Sequence, residues 1–137
     1  MSACVTLEDG RVFWRSTLWM ANVYDQIAQS VSDEYPQFRR WLDDMSTRPA
    51  PFMDFDVRGL PDELRKEFHL AARRSRDRRI SELGEEWTSD GITSLLDELV
   101  RMKVSIDRGE PSLTLSHDTK VYDYRGNAVD IHEIWSE

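Results

Sequence analysis

The sequence predicts a single α+β domain over residues 1–137, in which about four helices pack on an antiparallel sheet. Two observations support this prediction. Strand-like and helix-like hydrophobic periods follow one another as two strands, two helices, a strand, two helices and further strands, which is not the regular alternation of a parallel α/β fold. The 137 residues, 39% of them hydrophobic, suffice for one core, and no internal repeat or linker divides them.

The predicted sheet begins with an amino-terminal hairpin and includes one central strand. Residues 3–7 and 11–15 are apolar-rich segments on either side of the turn-forming pair Asp9-Gly10. Residues 53–57 alternate apolar side chains with aspartates, which is the two-residue period of a strand with one buried face. A carboxy-terminal meander completes the predicted sheet, with strand-like segments at 113–115, 120–124 and 128–135.

Four helices are predicted from apolar side chains spaced three and four residues apart, and the fourth has the clearest amphipathic pattern. Each start has a capping residue or a first-turn proline: Ser16 or Thr17, Pro36, Pro61, and Ser89 or Asp90. The four apolar stripes are Ala21, Tyr24, Ile27, Ala28 and Val31; Phe38, Trp41, Leu42 and Met45; Leu64, Phe68, Ala71 and Ala72; and Ile92, Leu95, Leu96, Leu99 and Met102.

The charge is negative and unevenly distributed. The chain has 26 acidic and 18 basic side chains, for a net charge of −8. Residues 62–79 contain four acids and seven bases, whereas residues 80–137 contain thirteen acids and five bases. A negative field repels nucleic acid and anionic lipid and attracts cationic partners. No apolar run approaches the roughly 20 residues that span a bilayer, and no signal-peptide pattern is present. We therefore expect a cytoplasmic protein that does not bind membranes.

No set of residues in the sequence identifies a reaction. Asp54 and Asp56 share one face of a predicted strand and could bind a divalent cation, but a solvent-facing strand surface explains the pair as well. The single cysteine, Cys4, excludes intrachain disulfides and cysteine-rich zinc sites. The three histidines are scattered along the chain. The sequence therefore predicts no catalytic residues, no metal and no cofactor.

Five arginines lie within seven residues of the third predicted helix: Arg73, Arg74, Arg76, Arg78 and Arg79. At about 100° per residue they surround most of the helix and do not share a face. We therefore expect them to pair with acids of the same chain, such as Asp77 and Glu82, or to remain solvated. Contact with RNA through this cluster stays an alternative.

Two acidic segments are predicted to bind a partner. Residues 84–91 hold three acids and Trp87 between two glycines, a composition typical of a recognition loop, although the size of an indole favours burial of Trp87 under the fourth helix. The carboxy-terminal hairpin interleaves acids with aromatic residues, which suits a basic partner, while the simpler alternative places the aromatics in the core. The predicted partner-binding residues are Glu85, Glu86, Trp87, Asp90, Tyr122, Asp123, Tyr124, Asp130 and Glu133.

Three short motifs carry a resemblance to a known group. They are Asp-Gly-Arg-Val-Phe-Trp at 9–14, the Trp41-Leu42 pair, and Asp-Val-Arg-Gly-Leu at 56–60. In these motifs the chain resembles small acidic bacterial proteins, some of which are immunity partners of polymorphic or contact-dependent toxins. The resemblance covers about half the chain. It implies a cytoplasmic protein that neutralises a cognate toxin by binding it, and it transfers no catalytic residues.

Together these observations predict a non-enzymatic interaction protein, best described as an immunity-type inhibitor of a basic toxin such as a nuclease. Two alternatives remain. One is a small hydrolase or transferase in which Asp54 or Asp56 lies beside His69 or His132 in a pocket. The other is an RNA-contacting regulator that uses the arginines of residues 73–79.

Overall fold

The computed structural model describes residues 2–48 and 53–110, together with the backbone of residues 121–122 and 128–129. The predicted α+β class is confirmed. The strands of the main sheet are β1 (Ser2–Thr6), β2 (Val12–Ser16) and β3 (Phe55–Asp56), and the helices are α1 (Thr17–Gln29), α2 (Pro36–Met45), α3 (Asp62–Leu83) and α4 (Gly91–Asp107). Two short 3₁₀ helices occupy Val57–Gly59 and Gly84–Ser89.

The predicted amino-terminal hairpin is confirmed. β1 and β2 pair antiparallel, with Val5 opposite Phe13, and the Leu7 N–H donates to the Arg11 carbonyl at 2.8 Å to close the loop. Gly10 has a φ of 90°, a left-handed conformation that favours glycine and that the Asp-Gly pair supplies in hairpin turns.

The sheet differs from the prediction in direction and in order. β3 pairs with β1 in parallel, so the sheet is mixed rather than antiparallel, and the order β2-β1-β3 puts β3 at an edge rather than in the centre. The connection explains the direction. β2 ends beside Ser2, where β1 begins, and α1 and α2 follow before the chain reaches β3. Parallel pairing with β1 requires a crossover connection of this length. The chain therefore enters β3 in the same direction as β1.

The predicted helix starts are confirmed. The Ser16 hydroxyl accepts a hydrogen bond from the Trp19 N–H at 3.5 Å, and Asp90 caps α4 in the same manner. Pro36 occupies the first turn of α2, and α3 begins directly after Pro61. None of the helices in the described part of the chain is both long and apolar enough to cross a bilayer.

The core lies between one face of the main sheet and the helices. Along β1, buried side chains alternate with half-buried ones, so that only one face of the strand is fully covered. Phe55 packs edge-on against both Trp41 and Phe68, with ring centroids 5.2 and 5.3 Å away, and the Tyr24 hydroxyl donates to the Met53 carbonyl at 2.6 Å. The largest fully buried side chains include Phe13, Met20, Tyr24, Ile27, Leu42, Phe68, Leu96 and Leu99.

The carboxy-terminal strands form a separate pair. β4 (Val121–Tyr122) and β5 (Ala128–Val129) pair antiparallel as a two-stranded sheet of their own, so the prediction that they join the main sheet is wrong. The remaining residues of the predicted meander lie outside the described part of the chain.

Candidate partner-binding surface

Four of the nine predicted partner-binding side chains are described. Glu85, Glu86 and Trp87 lie in the 3₁₀ helix Gly84–Ser89, and Asp90 follows it directly. The other five predictions concern side chains outside the described residues, although the backbone of the first of them is in β4: Tyr122, Asp123, Tyr124, Asp130 and Glu133. The described candidate side chains therefore all lie directly before α4.

The 3₁₀ helix places its glutamates outward. Gly84 ends α3 with a φ of 65°, a left-handed conformation that turns the chain away from the helix axis. The Asp90 N–H donates to the Trp87 carbonyl at 3.1 Å and closes the segment against the start of α4. Glu85 and Glu86 are exposed, whereas Trp87 is half-buried. The burial predicted for Trp87 is therefore only partial.

Asp90 is occupied by bonds within the protein. Its Oδ2 accepts hydrogen bonds from the Thr93 N–H at 2.9 Å, from the Thr93 hydroxyl at 2.5 Å and from Arg79 Nη2 at 2.9 Å. The Thr93 hydrogen bonds, assisted by Arg79, lower the pKa of Asp90 to about 2. The side chain thus caps α4 and ties it to α3. We assign Asp90 a positioning role, because it fixes the segment that displays Glu85 and Glu86.

Trp19 is a candidate binding residue that sequence reasoning missed. Its side chain is 43% exposed, and Leu18 beside it is 72% exposed. Burial of the indole on binding would remove a large apolar area from water, which favours association. A signal was present, because Trp19 lies outside the apolar stripe that predicted α1. An apolar residue outside the buried stripe of an amphipathic helix is expected on the surface.

Trp19 joins the start of α1 to the start of α4. Its indole packs on Gly91, where a Cβ atom would lie only 2.6 Å from the indole Cη2. Leu83, at the end of α3, is also 39% exposed and precedes the 3₁₀ helix. We use the name acidic–aromatic surface for the exposed and half-buried side chains at the start of α1 and in the segment that leads to Gly91. They are Leu18, Trp19, Glu82, Leu83, Glu85, Glu86 and Trp87.

The glutamates of this surface have no partner in the described residues. Glu82, Glu85 and Glu86 are all exposed, and none forms a hydrogen bond or an ion pair within 2–48 or 53–110. The predicted pairing of the arginine cluster with Glu82 is therefore not observed, because Arg79 binds Asp90 instead. Three free carboxylates next to exposed apolar side chains form a surface suited to a cationic partner.

The arginine cluster is used mainly inside the protein, as predicted. Arg74 Nη1 lies 2.8 Å from Glu67 Oε2, and Arg76 lies 2.9 Å from Asp77 and 3.3 Å from Asp97. Two further members of the cluster, Arg78 and Arg79, also bind the Gln26 side-chain oxygen. These bonds connect α3 to α1 and α4 and leave few of the guanidinium groups available to an anionic ligand.

A second charged cluster lies between the hairpin and the helices. Glu8 Oε1 is 2.6 Å from His69 Nε2 and 3.4 Å from Lys103 Nζ. Burial alone would raise the pKa of Glu8, but the His69 hydrogen bond and charge, with Lys103, outweigh it and lower the pKa to about 2. The other oxygen, Oε2, is buried and has no hydrogen-bond partner among the described residues. The cluster connects the turn between β1 and β2 to α3 and α4.

Asp54 and Asp56 have structural partners. Asp54 Oδ1 accepts the Cys4 N–H at 2.8 Å, while Asp56 binds the Arg58 side chain at 2.6 Å. Burial, together with Asp54, raises the pKa of the Cys4 thiol to about 12, so this cysteine is not an activated nucleophile. Across residues 2–48 and 53–110, no three His, Cys, Asp or Glu side chains are grouped so that they could hold a metal ion.

An open groove of about 400 Å³ lies where the end of α1 meets α2. Its lining contains one carboxylate, Asp43, but no histidine or second acid with which this carboxylate could form an acid–base pair. The lining residues are Ala28, Gln29, Pro36, Arg39, Arg40 and Asp43.

Comparison with known proteins gives no match: no protein-family model, curated protein or solved structure matches this chain.

Proposed function

We propose that this protein is a non-enzymatic binding protein that engages a cationic protein partner through the acidic–aromatic surface. In the finer form of the proposal it is an immunity-type inhibitor of a basic toxin such as a nuclease. The observation that supports the proposal is the group of three exposed glutamates, Glu82, Glu85 and Glu86, which are unpaired within the described residues. They lie in the segment that leads to Gly91, the glycine on which the exposed indole of Trp19 packs.

The charges favour this binding mode. Three carboxylates within five residues repel one another, and a cationic partner relieves that repulsion when it binds. The net charge of −8 adds a long-range field of the same sign, which accelerates encounter with a basic protein. Burial of the exposed apolar side chains in the same surface favours binding, whereas charge pairs at a hydrated interface add little to the affinity.

Inhibition would follow from where the surface binds. A nuclease holds its substrate phosphates with arginine and lysine side chains. Carboxylates bind the same side chains with the same bidentate geometry as phosphate oxygens do. A protein that presents three free glutamates can therefore cover a cationic substrate-binding face and exclude nucleic acid from it.

The proposal is tested by charge removal with a charge-matched control. The test variant is Glu82→Gln/Glu85→Gln/Glu86→Gln, and the control is Glu34→Gln/Asp43→Asn/Asp44→Asn, which removes three exposed acids elsewhere. The full-length chain is used to capture partners from the cell that produces it, and association rates are measured at 50 and 300 mM salt. We expect a basic partner whose association slows at least tenfold in the test variant and at high salt, but not in the control.

An acidic partner, or one that binds both triple variants equally, would contradict the proposal. The toxin-inhibitor form requires a further result: the captured protein must have an activity that stoichiometric addition of this chain suppresses.

A small hydrolase or transferase remains the second candidate, because Glu8 and His69 form a close carboxylate–imidazole pair. The purified chain would then hydrolyse ester or phosphoester substrates, and Glu8→Gln would abolish turnover. Wild-type turnover lost in this variant would replace the binding proposal. The RNA-binding alternative receives less support, since most of the arginine cluster is bonded to the protein itself.

A further inference from the structure

We infer that Trp19 is the anchor residue of the acidic–aromatic surface, and that the occupant of this surface is a cationic amphipathic segment of the partner. Aliphatic side chains of that segment contact Leu18 and Trp19, while its arginines or lysines face Glu85 and Glu86. This inference rests on the proposed function and adds to it the contact that determines which cationic partners are accepted.

Exposed apolar side chains occur at the start of α1 and at the end of α3. Five large hydrophobic side chains of the described residues are exposed: Leu18 and Trp19 are neighbours in α1, and Leu83 directly precedes the 3₁₀ helix. The other two, Leu70 and Val104, lie farther along α3 and α4. Tryptophan is among the residues most enriched at interface hot spots, because one rigid indole withdraws a large apolar area from water.

The Trp19 indole is held in place by Gly91 before any partner binds. A Cβ atom at position 91 would lie 2.6 Å from Cη2 and 2.8 Å from Cζ3 of Trp19, so only glycine permits this packing. Gly91 is held in turn by its neighbour Asp90, which bonds to Thr93 and Arg79. An anchor with a fixed floor loses little conformational freedom on binding, which strengthens affinity.

Negative charge lies close along the chain to Gly91, on which the Trp19 indole packs. Glu86 is five residues from Gly91, and the low rise of a 3₁₀ helix keeps their Cα atoms within about 13 Å. In the partner segment, an arginine can therefore reach Glu86 while an adjacent aliphatic side chain covers the Trp19 indole. The face of the indole also attracts a guanidinium group. An acidic segment lacks the positive charge that pairs with the glutamates. A uniformly polar segment lacks the apolar side chain that covers the indole.

The test uses a synthetic probe and the full-length chain. The probe is a capped 14-residue helical peptide with leucine and arginine on one face, and a matched peptide replaces each leucine with serine. Binding is followed by NMR through the Trp19 indole N–H signal, which Trp19→Phe assigns. We expect a saturable shift of this signal with the leucine–arginine peptide and at least tenfold weaker binding of the serine peptide.

Gly91→Ala supplies the sharpest variant, because it displaces the indole without removing it. The φ of Gly91 is not positive, so alanine is tolerated by the backbone, and retained amide signals of α4 show that the variant is folded. We expect at least tenfold weaker peptide binding in Gly91→Ala and no change in Leu70→Ala, which removes an exposed leucine elsewhere.

The outcomes separate the two proposals. If the peptide shifts the backbone signals of Glu85 and Glu86 but leaves the Trp19 indole unchanged, or if Gly91→Ala binds like the wild type, the anchor inference is overturned and the proposed function stands. If neither the indole nor the glutamate signals respond, the anchor inference is overturned. Loss of the proposed function itself is shown separately, by a captured partner that is insensitive to the triple glutamine variant.

Discussion

The acids of residues 82–90 have opposite surroundings: Asp90 is bonded within the protein, whereas Glu82, Glu85 and Glu86 have no such bond in the described part of the chain. Asp90 accepts three hydrogen bonds within the protein, whereas the glutamates are exposed and unpaired in the described residues. The helix start explains the difference, because a short aspartate at the N-cap reaches the free N–H groups that follow it. Proximity in sequence therefore does not imply a shared role. The paired acid organises the surface, and the unpaired acids are available to a partner.

The basic side chains also divide into paired and exposed residues. The largest expected effect on the free energy of unfolding is at the buried Arg11. Arg11 is 5% exposed and binds Asp9 at 2.6 Å, the Ser105 hydroxyl at 2.8 Å and the Glu110 carbonyl. Arg11→Ala should reduce the free energy of unfolding by about 3 kcal/mol, because the buried side chain loses both its hydrogen bonds and the packing of its aliphatic stem. Urea denaturation measures this change. Arg40→Ala, at an exposed side chain, is the control and should change stability by less than about 0.5 kcal/mol.

Asp90→Ala should be the next largest change. It removes the α4 cap and the bond to Arg79, so we expect a loss of about 2 kcal/mol in the free energy of unfolding. Asp90→Asn keeps a capping oxygen and should recover about half of that loss. If Asp90→Ala were as stable as the wild type, Asp90 would not be the residue that organises this end of α4.

The Glu8 cluster predicts a specific acid dependence. The pKa of Glu8 is about 2 in the folded protein, below its ordinary value of 4.5, so the folded state binds this proton less readily than the unfolded state. Its contribution to stability is therefore complete above about pH 4.5 and is lost as the pH falls towards 2. Allowing for solvent screening, we expect Glu8→Gln to reduce the wild-type decline across this window by about 2 kcal/mol, measured by denaturation at pH 2 to 7. Parallel curves for the two proteins would show that the pair has no such role.

The smallest stability effect is expected at the surface glutamates. The Glu82→Gln/Glu85→Gln/Glu86→Gln protein should unfold within about 0.5 kcal/mol of the wild type, with any change towards greater stability because like charges are removed. Thermal denaturation at low salt measures it. A loss above 1 kcal/mol would mean that these glutamates have structural partners and are not reserved for binding.

Local patterns were sufficient to predict the hairpin and the helices. The Asp9-Gly10 pair predicted the first turn, Pro36 and Pro61 the starts of two helices, and Asp90 the cap of α4, since each of these signals acts over a few residues. The parallel direction of β3 was not predictable from its own alternation. Direction depends on the route of the α1–α2 connection, which no short segment encodes.

The candidate surface divides in the same way. Glu85 and Glu86 were identified from composition, because charged residues between two glycines are expected to be exposed. Trp19 was not, because its significance depends on contact with Gly91, 72 residues away in the sequence. The binding role that the sequence predicts for Tyr122 and Asp123 stays a prediction.

The amino-acid sequence alone determined the α+β class, the positions of the helices and the negative charge of the chain, because these follow from local periodicity, capping chemistry and composition. Only the tertiary structure decided which charges of the described residues are paired and which are free, and that an exposed indole lies on a glycine from a helix distant in the sequence. Those properties depend on contacts between distant segments, where burial and neighbouring charges determine the role of each side chain.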